Sequence, residues 1–228
     1  RGDEMTRRMI VPVLFGVFGI AVLVGLGLWQ LQRLAWKEAV LAEIDARISA
    51  VPVALPAAPD PVADRYLPVR ATGTLLPQAV RVLSSVKQVG AGYRLIHVFE
   101  TGGRRVMVDR GFLPLQADPG ALPAGAVTVT GNLHWPQETD SFTPAPDLEK
   151  NIWFARDVEA MADVLGTEPV LIVARGIDPA SPAILPQPVD SSGIPNDHLE
   201  YAITWFSLAL VWLGMTALLV WRIRRKTV

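Results

Sequence analysis

Two long apolar runs, one near each end of the chain, stand apart from the alternating and broken patterns between them. Met9 to Trp29 carries no charged residue, and at about 1.5 Å per residue it reaches roughly the 30 Å of a bilayer's hydrocarbon core. Ala202 to Trp221 does the same, its Thr204, Ser207 and Thr216 hydroxyls being able to bond back to helix carbonyls. Both read as transmembrane helices, over 9–30 and 199–221. The first follows Arg7 and Arg8 as a signal peptide would, but it exceeds the roughly 7–15 residues of such an apolar core and no A-x-A cleavage site comes after it. Directly beyond it, LQRLAWKEAVLAEIDARI places Leu34, Leu41 and Ile48 seven apart with Leu31 and Ile44 beside them, which predicts that the helix continues over 31–50 with charges on its other face. VPVALPAAPDP then breaks the pattern, since proline lacks an amide donor and disfavours helix in the residue before it, so 51–64 reads as a linker.

Past the linker the period changes. YLPVRATGTL, QAVRVLSS, YRLIHVFE, RRVMVDRGF, AVTVTGNLHW and PVLIVARG are short, rich in β-branched residues and bounded by Gly or Pro, as strands are. YRLIHVFE and RRVMVDRGF flank TGG and predict a hairpin whose glycines supply the positive φ of a tight loop. In ARDVEAMADVLG, Val158, Met161, Ala162 and Leu165 follow helical spacing, and Gly166 fits the stop. The predicted fold is an α+β membrane protein: two terminal spans flank a mainly antiparallel β domain, or small barrel, over 65–198 with one or two helices.

Composition sharpens the picture. Hydrophobic residues make up 50% of the chain and charged residues 19%, and the latter is below the roughly 25% of a soluble domain. A net charge of −1 leaves no broad basic surface for nucleic acid, which is excluded as a partner. With no cysteine the chain has no disulfide, thiolate nucleophile or Cys-ligated metal. Arg222, Arg224, Arg225 and Lys226 crowd the end of the second span. The positive-inside rule therefore puts the tail 222–228 in the cytoplasm, the N-terminal 1–8 with it, and the middle domain in the periplasm or its organellar equivalent; the bacterial inner membrane is the expected location.

Conventional catalytic motifs are absent: no G-x-S-x-G elbow, P-loop, H-E-x-x-H or helical Glu-x-x-His cluster. His97 and His134 lie in or near strands without neighbouring ligands and read as structural or surface side chains. Asp157, Glu159 and Asp163 sit around a helix start, where carboxylates suit the dipole. His198 is different, because it enters the second span, where an imidazole is rare and has a partner or a task. On a helix it shares a stripe with Tyr201, Trp205, Leu208 and Trp212. The first span meets the same surface near Trp29 and Gln30, so both helices would bring these side chains into one layer. Aromatic belting explains Tyr201 and Trp205 equally well. A histidine beside aromatic faces also suits heme, whose iron takes an imidazole and whose propionates need cations such as Arg33 or Arg110.

GLGLWQLQRLAWK, ATGTLLP, VMVDRGFLP, VTVTGNLHWP, NIWFARDVEAMA and PNDHLEYAITWF, in this order over nearly the whole chain, resemble the surfeit locus protein family. The resemblance implies two spans and an assembly factor, not an enzyme, for heme–copper cytochrome c oxidase. It implies that heme a is bound as transient cargo and delivered to, or stabilised within, subunit I. Other oxidase subunits and heme A synthase become expected partners beside the bilayer. By the same resemblance His198 is the heme-iron ligand, the W-Q-x-x-R block is Trp29, Gln30 and Arg33, and the R-G block is Arg110 and Gly111. Where the family often has N-R-G-W, this chain has Asp109, Arg110, Gly111 and Phe112. For Arg110 an ion pair with Asp109 or another acid stands level with a propionate contact. A heme-free membrane tether and a membrane-anchored periplasmic enzyme remain as competing readings.

Overall fold

The structure, a computed structural model, describes residues 2–225, with side chains from residue 10 onward. The side chains of Arg7 and Arg8 and the last three residues, including Lys226, lie outside the described residues. The chain divides between Glu43 and Ile44, and again between Ser191 and Ser192, into a helical unit and a sheet unit.

The helical unit is built from α1 (Gly2–Ile48), up to Glu43, and α3 (His198–Arg225). The predicted span 9–30 and its extension 31–50 are thus one continuous helix. Residues 10–48 and 198–225 form helices long and apolar enough to cross a membrane. What lets α1 and α3 approach is small residues. A Cβ added at Gly16 would fall 2.2 Å from Thr216, at Gly19 2.4 Å from Trp212, and at Gly27 2.7 Å from Phe206. These contacts run in opposite directions along the two helices, so the helices are antiparallel. Ala202 and Ala209 are the buried residues of α3, whereas Tyr201 and Leu208 are exposed. Within the expected stripe Tyr201 and Leu208 thus look outward, whereas Trp212 meets Gly19 of α1, glycine leaving the room that the large ring fills.

The sheet unit comprises β1 (Val53–Ala54), β2 (Pro68–Val86), β3 (Gly90–Thr101), β4 (Arg104–Pro114), β5 (Val127–Leu133), β6 (Ile152–Trp153), α2 (Val158–Leu165) and β7 (Leu171–Asp178). Strands β2, β3, β4, β7 and β5 follow one another around the sheet, and β5 pairs back onto β2, closing a five-stranded ring. The closure depends on the length of β2, which pairs through 68–73 with β5 and through 74–86 with β3. The sequence divides this strand in two at Pro77. A register shift between Leu75 and Ala79 absorbs the proline, so the chain continues as one strand.

The sheet is mixed. Its long ladders are antiparallel, but β1 and β6 pair parallel to β2, and β7 parallel to β4. The 51–64 segment is accordingly not a pure linker, since Val53–Ala54 adds to the sheet and the compact unit begins at Ile44, ahead of the predicted boundary at 65. The carbonyl of Ile48, an orphan acceptor at the end of α1, is satisfied by buried Asn132 Nδ2 at 2.9 Å and by Arg175 at 3.3 Å.

Each face of the sheet has its own core. Val69, Phe99, Val106, Val108, Val129 and Ile172 belong to one cluster; Val80, Ile96, Val98, Met107 and Leu171 join Met161 and Leu165 of α2 in another. Burial on both sides explains why β4 is buried along nearly its whole length. The four residues expected to form the inner stripe of α2 are the buried ones, Asp157 caps its N-terminus by accepting from Ala160 N, and Gly166 ends it in the left-handed conformation. The TGG hairpin forms as predicted, with Gly102 and Gly103 both at positive φ.

A second bulge, between the Arg94 and Ile96 pairings of β3, displaces Arg110 and Gly111 on β4. Gly111 has φ +117, and a Cβ there would fall 2.3 Å from the Leu185 carbonyl oxygen. Leu185 and Phe112 exchange both backbone hydrogen bonds at 2.8 Å, so the chain after β7 is strapped onto β4 at this point. Gly111→Ala meets both the forbidden φ and the strap; denaturant unfolding should register a loss of more than about 2 kcal/mol.

Candidate functional site

The residues singled out from the sequence fall into two groups, one in each unit. In the helical unit, His198 opens α3 and is partly buried, and Gln30 on α1 is 9% exposed. His198 Nδ1 donates to Gln30 Oε1 at 2.8 Å. Committing the proton to Nδ1 leaves the lone pair on Nε2, the arrangement by which a hydrogen-bonded histidine is oriented for a metal. The expected layer of first-span and second-span residues is thus a direct contact at these two positions.

Around it the aromatics face outward. Trp29 is 51% and Tyr201 56% exposed, and Trp205 is half-buried. Arg33, one turn beyond Trp29, lies over the Trp36 ring at 4.6 Å, a cation held on an aromatic face. The pair His198–Gln30 is therefore the ordered element of the helical site, and Trp29, Tyr201, Trp205 and Arg33 offer exposed apolar surface and charge on the same two helices. Among the described residues no three of His, Asp or Glu cluster as a metal site, so an iron here would rely on His198 with ligands from outside that set.

Arg110 belongs to the sheet unit. It does not pair with Asp109. That carboxylate, with no exposed surface, is bound by Arg94 at 2.7 Å, by Arg156 at 3.4 Å and by the Gly111 amide at 3.0 Å. Alternation along β4 explains the separation: Asp109 opposes Ile96, whose side chain joins the α2 cluster, while Arg110 reaches His97. Arg156 also binds Glu138. Burial works against the Arg156 charge, but Glu138 and Asp109 outweigh it and raise its pKa. Arg94, Arg156 and Glu138 carried no motif in the sequence. The only local signal was Arg156 just ahead of the α2 cap, because the network joins β3, β4, the segment after β5 and the start of α2.

His97 is buried and His134 partly buried in the sheet unit. Burial pushes the His97 imidazole below its usual value despite a bond to the Leu76 carbonyl, and nearby Arg110 adds to the shift. Burial, then Arg156 and Arg65, push His134 down to about 4, and its ring stacks on Tyr66.

With this geometry in view, comparison with known proteins gives a consistent result. The sequence model of the SURF1 family matches residues 17–210. The chain belongs to the SURF1 family. Surfeit locus protein 1 of Homo sapiens is 31% identical over 211 residues, covering 81% of this chain and 69% of its own length. A SURF1-like protein of Monosiga brevicollis is 34% identical, covering 89% and 83%. A SURF1-like protein of Rickettsia felis is 29% identical over 217 residues, covering 90% of this chain and 93% of its own. The SURF1 match takes in both Gln30 and His198 as well as the D-R-G bulge.

Two outcomes follow. The chain lacks native cysteine, so Gln30→Cys paired with His198→Cys should crosslink with a short bis-maleimide on the full chain in micelles; adding Gly27→Leu, which drives into Phe206, should lower the yield. The second concerns pH. The lowered His134 pKa means that the unfolded chain binds the extra proton between about pH 6.5 and 4, so stability is full above that window and falls as pH drops through it. Urea unfolding should record a loss on the order of 2 kcal/mol over this range, partial exposure taken into account, with His97 acting in the same direction. His134→Gln should flatten the slope.

Proposed function

We propose that this chain is a membrane-anchored assembly factor for heme–copper cytochrome c oxidase, the role implied by its family resemblance, and that it carries heme a as cargo toward subunit I. The observation that carries the cargo reading is the His198 Nδ1 to Gln30 Oε1 bond of 2.8 Å, which fixes the ring and reserves Nε2 for iron. Exposed Trp29 and Tyr201, with Trp205, supply apolar faces for the macrocycle and its tail, and Arg33 supplies a cation for a propionate. No bond of the cargo is made or broken, so the role is that of a carrier and not of an enzyme. A carrier must also release, which favours a single protein ligand over two.

Arg222, Arg224 and Arg225 in the last turn of α3 support a cytoplasmic C-terminus. With two spans, the N-terminus is then cytoplasmic and the sheet unit periplasmic, in the bacterial inner membrane. There the sheet unit can meet oxidase subunit I, neighbouring oxidase subunits and heme A synthase.

The same hydrogen bond would serve a heme-free tether, in which His198 simply joins two helices. Protein purified from cells making heme a separates the readings. His198→Ala should lose most of its bound heme and its visible spectrum, and Gln30→Leu should retain less than the wild type while remaining inserted. Full heme content in His198→Ala, with undiminished co-purification of subunit I, would establish the tether instead.

A further inference from the structure

Away from the helix pair, the sheet unit holds a buried cation without an anion. Arg110 is 5% exposed; its Nη2 donates to Ser181 Oγ at 2.6 Å and its Nη1 to His97 Nε2 at 3.3 Å. Both partners are uncharged. The Nδ1–H of His97 is donated to the Leu76 carbonyl at 3.0 Å, so the ring meets Arg110 through its lone pair, and a protonated His97 would set two cations face to face. Arg94, Arg104 and Arg156 each have a carboxylate, whereas among the described residues none pairs with Arg110. Burying an unpaired charge costs several kcal/mol, which makes the surroundings of this guanidinium the place to look for a missing anion.

A cavity of about 330 Å³ lies against it, with Arg110 and Ser181 among its polar groups and Ile177, Pro182, Ile184 and Leu185 among its walls. That volume sits at the small end of the roughly 300–1,000 Å³ of ligand sites. The walls come from the end of β7 and from the chain that follows it, which is held against β4 by the Phe112–Leu185 exchange. We propose that this cavity binds a carboxylate borne on a short hydrocarbon body, the carboxylate pairing with Arg110 and Ser181 and the hydrocarbon lying on the apolar walls. The planar fork of arginine matches a carboxylate. A phosphate dianion fits less well, because a single guanidinium would leave half its charge buried and unmatched. The carboxylate can come from a free small acid or from the C-terminus of a polypeptide ending in an apolar residue. This goes beyond the cargo reading: the cavity uses no residue of the helical unit, and protein from cells lacking heme a serves for its test.

Isovalerate and its uncharged amide, isovaleramide, can be titrated into the 15N-labelled full chain in micelles while the Gly176 and Ser181 amides are followed. Isovalerate should produce saturable shifts at both, and isovaleramide should bind at least about tenfold more weakly, reflecting loss of a charge-assisted bond. Arg110→Gln should abolish saturation. Should that variant fail to fold, Ala180→Trp, placed at an exposed lining position, blocks the cavity and should abolish it too. Equal binding of acid and amide, no saturable shift with either, or isovalerate binding retained in a folded Arg110→Gln or Ala180→Trp would overturn the proposal. A tripeptide ending in leucine with a free C-terminus, set against its C-terminal amide, separates the sources. Tighter binding than isovalerate assigns the site to a chain end, and weaker binding assigns it to small acids.

Discussion

The sheet unit depends on how one fully buried carboxylate is neutralised. Asp109 sits in the most continuously buried strand, where an unmatched charge would destabilise the fold by more than any single apolar contact could offset. Its partners come from β3, from the entry to α2 and from the backbone of the adjacent bulge. Satisfying it therefore fixes where α2 starts, how β3 and β4 lie in register, and where the Gly111 backbone must turn. The turn in turn admits the Leu185 strap, which shapes the walls around Arg110. A local electrostatic requirement thus has a reach from the cap of a helix to a cavity on another part of the barrel.

The helical unit obeys a different constraint. In the proposed membrane setting there would be no hydrophobic gain from pairing two apolar helices, so their association would rest on close approach and on polar contacts that lipid cannot replace. Gly16, Gly19 and Gly27 supply the first and His198 with Gln30 the second. The polar contact stands where α3 begins, so the residue that registers the helices is also the one best placed to meet a ligand.

Much of this was legible in the sequence wherever the deciding forces are local. Charge-free windows of bilayer length marked both spans, the spacing of Val158, Met161, Ala162 and Leu165 marked the buried face of α2, and two glycines marked the hairpin. Pro77 misled, because a lost amide donor reads as a strand end, whereas the register shift between Leu75 and Ala79 accommodates it within one strand. The two-residue strands β1 and β6 are too short to carry any period, and the parallel pairing of β4 with β7 joins residues more than sixty apart. Spacing put His198, Tyr201, Trp205, Leu208 and Trp212 on one stripe of α3, but not which of them meet α1: His198 and Trp212 do, and Tyr201 and Leu208 are exposed. His198 and Gln30 were found together because each lies at the end of a long apolar run. The true partners of Asp109 were not, because Arg94 and Arg156 are brought to it only by folding.

The choice of glutamine as the partner of His198 bears on how firmly that imidazole can grip a metal. A carboxylate in the same place would draw the Nδ1 proton toward itself and make Nε2 a stronger electron donor. An amide oxygen orients the ring while lending it no negative charge. In the proposed carrier role the helix pair would present a well-aimed but moderate donor, and a hold of intermediate strength would let cargo exchange to a site with richer ligation instead of remaining where it first lands.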